Sequence, residues 1–176
     1  MRFVETELPG AYIIELELHY DERGFFARTW CEREFAANGI PMTIRQCNAS
    51  VNRRRGTLRG LHYQMSPHEE AKTVTCVRGA IYDVIVDLRR EASTFKRHVA
   101  VELSAENRRM VFVPPGFAHG FQTLADDTEV HYLISAFHVP DSAHGVRWND
   151  PAFGIVWPPT EERIISARDR TYPDFI

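Results

Sequence analysis

Four stretches of this 176-residue chain carry side chains able to move protons beside a carbonyl. In Arg59-Gly60-Leu61-His62-Tyr63-Gln64, His62 offers an imidazole, the side chain type best suited to acid-base work near neutral pH. Ten residues on, Lys72 offers a cation for an oxygen that gains negative charge. A P-x-G-x-x-H turn, Pro114 to His119, delivers a second imidazole among apolar neighbours, and Tyr132 in Glu129-Val130-His131-Tyr132-Leu133 adds a phenol. Each has a plainer use when taken alone. A lysine at a strand entrance is ordinarily an exposed edge residue that discourages aggregation. A histidine like His119 is ordinarily a hydrogen-bonded core residue, and a tyrosine like Tyr132 ordinarily packs with its hydroxyl satisfied. Together they make up the set that enolate chemistry requires.

A hydrogen beside a ketone is only weakly acidic. Removing it needs a base, worth about 10²–10⁴-fold, and stabilisation of the enolate oxygen, where one preorganised donor is worth about 3–4 kcal/mol. Lys72 as an ammonium meets the second need. A Schiff base would require a neutral amine, which nothing in the sequence establishes.

The elements that would position these groups read as strands. Apolar and polar residues alternate over Ala11–Leu18, Ala80–Leu88 and Val99–Leu103, the period of half-buried strands. Turn formers such as Arg78-Gly79, Pro114-Pro115-Gly116 and Asn149-Asp150-Pro151 separate them, as in an all-β sandwich or barrel. Alternation leaves the direction of His62 open. Only Glu32–Asn38, stopped by Asn38-Gly39, and the stretch after Thr160 suggest helices, both short and peripheral. With no repeat or linker, residues 1–176 are expected to form one domain whose barrel mouth is the natural ligand site.

Composition narrows the partners. The formal net charge of −3 gives no global attraction to nucleic acid or an anionic membrane, so anions must meet local basic clusters. The Arg53-Arg54-Arg55 run reads as a solvated face. Cys31, Cys47 and Cys76 form no C-x-x-C pair and fit a reducing cytoplasm, and neither a signal-peptide core nor a transmembrane-length apolar run is found.

Several of these stretches, with others, resemble the dTDP-4-dehydrorhamnose 3,5-epimerases of the cupin superfamily. The resemblance rests on Arg23-Gly24-Phe25-Phe26, on Gln46-Cys47-Asn48-Ala49-Ser50 leading through Gly56-Thr57-Leu58 to Arg59–Gln64, on Pro115–Phe121, and on Arg147-Trp148-Asn149-Asp150-Pro151. It runs over nearly the whole chain. It implies a jelly-roll barrel, a homodimer in which an N-terminal segment lines the partner's site, a nucleotide-sugar substrate, and no metal or organic cofactor. By position, His62 would be the base and Asp169 the carboxylate that orients its ring. Lys72 and His119 would face the ketone oxygen, and Tyr132 would be the acid on the opposite face of the sugar. Arg23, Phe26, Gln46, Asn48 and Arg59 would hold the nucleotide end, arginine suiting the diphosphate through paired hydrogen bonds, and His138 would lie at the sugar.

The chain departs from the family's pattern at Arg28, where a glutamate is usual, at Phe137-His138 in place of a tyrosine pair, and at Ala143-His144 in place of an acidic position. These changes bear on whether C3, C5 or both are inverted and on which sugar is taken. Two rivals stand beside epimerisation. A metal-dependent cupin is suggested by the turn ending at His119, but His62-Tyr63-Gln64 lacks the H-x-H pair and Lys72 would repel a cation. A non-catalytic sugar-nucleotide-binding cupin would bind without exchanging protons.

Overall fold

The computed structural model describes residues 1–175. Its strands are β1 (Arg2–Glu5), β2 (Tyr12–Glu15), β3 (His19–Asp21), β4 (Gly24–Phe26), β5 (Gln46–Asn52), β6 (Thr57–Gln64) and β7 (Lys72–Arg78). They continue with β8 (Ala80–Asp87), β9 (His98–Ser104), β10 (Met110–Val113), β11 (Phe117–Thr123), β12 (Thr128–Ile134), β13 (Ala143–Gly145) and β14 (Ile164–Ile165). Two sheets face each other, one ordered β1-β2-β10-β7-β12-β5 and the other β13-β6-β11-β8-β9, with β14 added to β6; the hairpin β3-β4 stands apart. Nearly every pairing is antiparallel, the exception being β14 with β6. This is the expected all-β double sheet of a jelly roll.

Strand alternation explains the layers. Val74, Cys76, Val111, Val113 and Val130 of the first sheet meet Ile81, Ile85, Leu103, Phe117 and Phe121 of the second in the central core. The opposite parity packs outward. Val84, Val86 and Ala118 turn to the C-terminal segment with Phe153 and Trp157, and Ile14, Met110 and Phe112 turn to Phe35, Ile40 and Met42. Phe35 sits on α1 (Glu32–Ala37), the helix expected over Glu32–Asn38, and Gly39 behind it takes φ +76°, a conformation natural to glycine. The second helix, α2 (Ala167–Arg170), begins at Ser166, whose Oγ accepts the Asp169 amide at 3.0 Å.

Arg53, Arg54 and Arg55 are exposed, and Arg54 pairs with the exposed Glu162, so this run is indeed a solvated face. Burial pushes the Cys76 thiol up to about 11, which leaves it an inert core residue. Among the described residues no helix is long and apolar enough to cross a membrane.

Candidate active site

At the mouth between the sheets lies a cavity of about 350 Å³, within the range of small-molecule sites. From the first sheet, alternation aims Gln46, Asn48 and Ser50 of β5, Lys72 of β7, and Tyr132 and Ile134 of β12 into it. From the second sheet come Arg59, His62 and Gln64 of β6 with His119 and Phe121 of β11.

Strict alternation along β6 would not put Arg59, His62 and Gln64 on one side. The pairing of β6 with β11 explains it: His62 lies opposite His119 and Arg59 opposite Phe121, three steps on one strand against two on the other. The extra residue is a β-bulge, which reverses the parity of everything after it and re-aims His62 inward. Glycine makes the bulge possible, because a Cβ on Gly60 would lie 2.6 Å from Gly120 Cα and 2.8 Å from His119 O.

His62 Nε2 lies 2.7 Å from Asp169 Oδ1, and the other oxygen of that carboxylate accepts the Gly60 amide at 3.1 Å. Asp169 is 4% exposed. Its burial pushes the carboxyl pKa up, but hydrogen bonding and charge from His62, together with Gly60 and Ser166, outweigh this and hold it below the usual carboxylate value. An ionised, oriented carboxylate fixes the ring and favours the imidazolium that proton uptake creates. That leaves Nδ1 as the ring nitrogen able to take a proton.

His119 forms a second pair, Nε2 to Asp83 Oδ2 at 2.8 Å, with both side chains buried. Its ring meets Tyr132 edge to face at 6.3 Å. Burial first, and the Asp83 charge next, raise the Tyr132 phenol well above its usual value, while Arg59 and a hydrogen bond with Ser50 act against them. The phenol therefore keeps its proton throughout the neutral range. His119 and Tyr132 each fulfil their plain role, hydrogen-bonded core histidine and packed tyrosine, and line the cavity as well.

Lys72 corrects the plain expectation. It is no exposed edge residue: only 6% of it is accessible, and Nζ sits 2.6 Å from Glu70 Oε1 inside the cavity. β7 is flanked by β10 and β12, so its first residue has no free edge to guard.

Further along the cavity, Arg59 Nε donates to Asn52 Oδ1 at 2.7 Å, which anchors the guanidinium beside Asn48 and Ser50. Gln46 accepts the His138 amide at 2.6 Å, and His138 borders the cavity. Arg23 and Phe26 do not join this cavity within the chain. They sit on the separate β3-β4 hairpin, Arg23 pairing with Asp21 and Phe26 being 70% exposed. Arg28 goes with the hairpin too, bonded to Glu34 at 3.1 Å, so that departure lies away from this chain's own cavity. Phe137 is exposed, whereas Ala143 and His144 line the cavity, the His144 ring lying 6.0 Å from that of Tyr63 and tilted by 34°.

Three groups escaped the sequence reading: Asp83, Glu70 and Arg168, which reaches the cavity while its Nη2 donates to Ala143 O at 2.9 Å. Among the described residues lining the cavity, Arg59, Lys72 and Arg168 face the single carboxylate of Glu70, an excess of cations suited to an anionic ligand. Among the described residues no three of His, Cys, Asp and Glu are grouped to hold a metal ion.

Fold and site define a cupin-type isomerase, a jelly roll with acid-base groups on the facing walls of one cavity. The family model for dTDP-4-dehydrorhamnose 3,5-epimerase matches residues 5–176, and the chain belongs to that family. The enzyme of that name from Methanothermobacter thermautotrophicus is 44% identical over 173 residues, spanning 97% of this chain and 92% of the relative. The structure of the Bacillus anthracis enzyme, with TDP and PPi bound, has a TM-score of 0.95 at 40% identity and covers 99% of both chains. That of the Legionella pneumophila enzyme, in complex with dTDP-4-keto-L-rhamnose, has a TM-score of 0.91 at 36% identity, covering 96% of this chain and 89% of the other.

Proposed function

We propose that this chain epimerises a 4-keto-6-deoxyhexose carried on dTDP, converting dTDP-4-dehydro-6-deoxyglucose to dTDP-4-dehydrorhamnose by removing and returning protons at C3 and C5. The observation that carries this reading is that a carboxylate-backed imidazole, His62 on β6, and a proton-bearing phenol, Tyr132 on β12, line one cavity from opposite sheets. A sugar held between them offers one face to a base and the other to an acid, which is what inversion of a carbon requires. His62 takes the proton from carbon, and the electron pair moves to the C4 oxygen as an enolate. Lys72 donates to that oxygen, which His119 also faces; His119 can donate through Nδ1 as an imidazolium held by Asp83. Tyr132 returns a proton to carbon on the far side while Asp169 steadies the imidazolium. No step needs a cofactor.

Arg59, Gln46 and Asn48 bind the nucleotide end, His138 stands by the sugar, and the cationic lining suits a diphosphate. The diphosphate and keto sugar bound by the Bacillus and Legionella relatives support the same substrate class. The cysteines are unpaired, in keeping with work in a reducing cytoplasm.

The test is proton exchange. In heavy water with dTDP-4-dehydro-6-deoxyglucose, NMR should find deuterium entering at C3 and C5 as the product forms. Tight binding without deuterium at either carbon would refute epimerisation and leave the non-catalytic binder. Deuterium at one carbon alone would refute the double inversion.

The same reading assigns Arg23 and Phe26 to the partner's cavity in a homodimer. Tyr20 and Phe26 on the hairpin are 73% and 70% exposed, apolar surface that a second copy would cover. Arg23→Ala and His62→Ala should each be impaired alone, yet a mixture should regain activity, because half the mixed dimers are hybrids with one intact site. At equal mixing that is about a quarter of wild-type sites. A mixture no more active than its parts refutes the shared site.

A further inference from the structure

Glu70 has no part in the reaction as set out above, yet it lines the cavity, and its Oε1 lies 2.6 Å from the Lys72 ammonium. Both side chains are largely buried, 13% and 8% accessible. Residues 70 and 72 have the same strand parity, while Ala71 between them packs on the opposite side with Met110 and Phe112 and is pinned by Ser135, whose Oγ accepts its amide at 2.8 Å. Backbone pairing thus fixes ammonium and carboxylate side by side on one wall.

An ammonium with three protons gives one to Glu70 and keeps others for a ligand; a carboxylate with two oxygens keeps one for a ligand. The pair therefore presents a donor and, next to it, an acceptor. A ketone beside a carbon bearing a hydroxyl has the complementary pattern, since its carbonyl accepts and its hydroxyl donates. In a 4-keto-6-deoxyhexose only C3 carries such a hydroxyl, because the oxygen on C5 is the ring oxygen.

We infer that the Glu70–Lys72 pair reads the α-hydroxyketone: Lys72 donates to the C4 oxygen and Glu70 accepts from the C3 hydroxyl. Glu70 is thereby a specificity-determining residue that orients the sugar so that C3 and C5 both come within reach of His62. The inference rests on the epimerase reading for the position of the ketone. Because Glu70 stays paired with Lys72 when the hydroxyl is missing, the preference is moderate, on the order of 10–100-fold for a hydrogen bond to a charged group.

The test compares the 4-keto-6-deoxyhexose nucleotide with its 3-deoxy analogue, reading deuterium uptake at C5, a carbon both possess. Wild type should prefer the hydroxylated sugar by that factor in kcat/KM. Glu70→Gln keeps an oxygen for the ammonium but turns an amide NH₂ toward the hydroxyl, so the preference should collapse to within a few-fold, chiefly through loss on the hydroxylated sugar. Thermal unfolding and exchange with the 3-deoxy sugar confirm that the variant is folded and competent; Glu70→Ala repeats the comparison with the side chain removed. A preference undiminished in both variants overturns the inference, including the case where both sugars slow equally because Glu70 merely holds Lys72. Absence of exchange by wild type with the hydroxylated sugar would instead sink the epimerase reading, which keeps the two failures distinct.

Discussion

In His62→Ala, deuterium uptake at C3 and C5 should fall about 10³-fold or more, the upper part of the range for a positioned base. On this reading His119 stands at the ketone oxygen and not at the carbon, and Glu70 Oε1 is held by the Lys72 ammonium, so neither takes over directly. The fold should survive, because the His62 side chain is 44% exposed. The loss to be expected is that of one partner of the buried Asp169, about 1–3 kcal/mol, with the Gly60 amide still bound. Asp169→Asn separates orientation from proton transfer: its amide can present an NH₂ to Nε2, favouring the wrong tautomer, and exchange should drop about 10²–10⁴-fold with little change in KM. The sign for pH follows from the lowered pKa of Asp169. A carboxyl depressed in the folded state stabilises it above the unfolded value and loses that contribution as pH falls through the folded value. The dyad should thus stay intact across the neutral range and fail only in acid. Full exchange in His62→Ala, measured on protein shown by circular dichroism to be folded, would remove His62 from the role of base.

Much of the barrel was legible because strand residues leave the backbone on two sides in turn: the runs Ala80–Leu88 and Val99–Leu103 fall on β8 and β9, whereas of Ala11–Leu18 only Tyr12–Glu15 is strand. The site was legible mainly through motif resemblance, and its geometry was not. His62 is the clearest case: a bulge at Gly60-Leu61 breaks the period between Arg59 and His62, so no parity argument could assign its direction. Lys72 looked like an edge lysine because strand order is invisible in a linear pattern, and only the pairing with β10 and β12 buries it. Asp83 did leave a signal. It and Asp87 are carboxylates in the apolar run Ala80–Leu88, and a buried carboxylate demands a partner, here His119 for one and Arg89 with Thr94 for the other. Glu70 left none, since two consecutive glutamates ahead of a strand read as solvated loop. Arg23 and Phe26 lie outside the chain's own cavity, on the β3-β4 hairpin, because a motif records which residues recur together and not where the chain folds them.

Lys72→Met should lower the exchange rate about 10²–10³-fold, the cost of removing one preorganised donor from a developing oxyanion. Methionine reproduces the unbranched stem of lysine as far as Cε and lacks only the ammonium, so the cavity wall nearly keeps its shape and the change is mainly electrostatic. The effect should fall on kcat more than on KM, because charge on the C4 oxygen grows as the proton leaves. One complication is physical: the substitution would strand Glu70 as a buried unpaired carboxylate, and breaking such a pair costs about 3–5 kcal/mol. The double variant Lys72→Met/Glu70→Gln removes that charge and should recover most of the stability without restoring exchange. Lys72→Arg keeps a cation but replaces a compact ammonium by a planar fork that cannot occupy the same point beside Glu70, so partial activity at most is expected. If the double variant regained wild-type exchange along with stability, the ammonium would be a structural counter-ion of Glu70 and the enolate would have to be stabilised by His119 alone. Deuterium uptake by the stable but slow double variant would separate those two cases in one measurement.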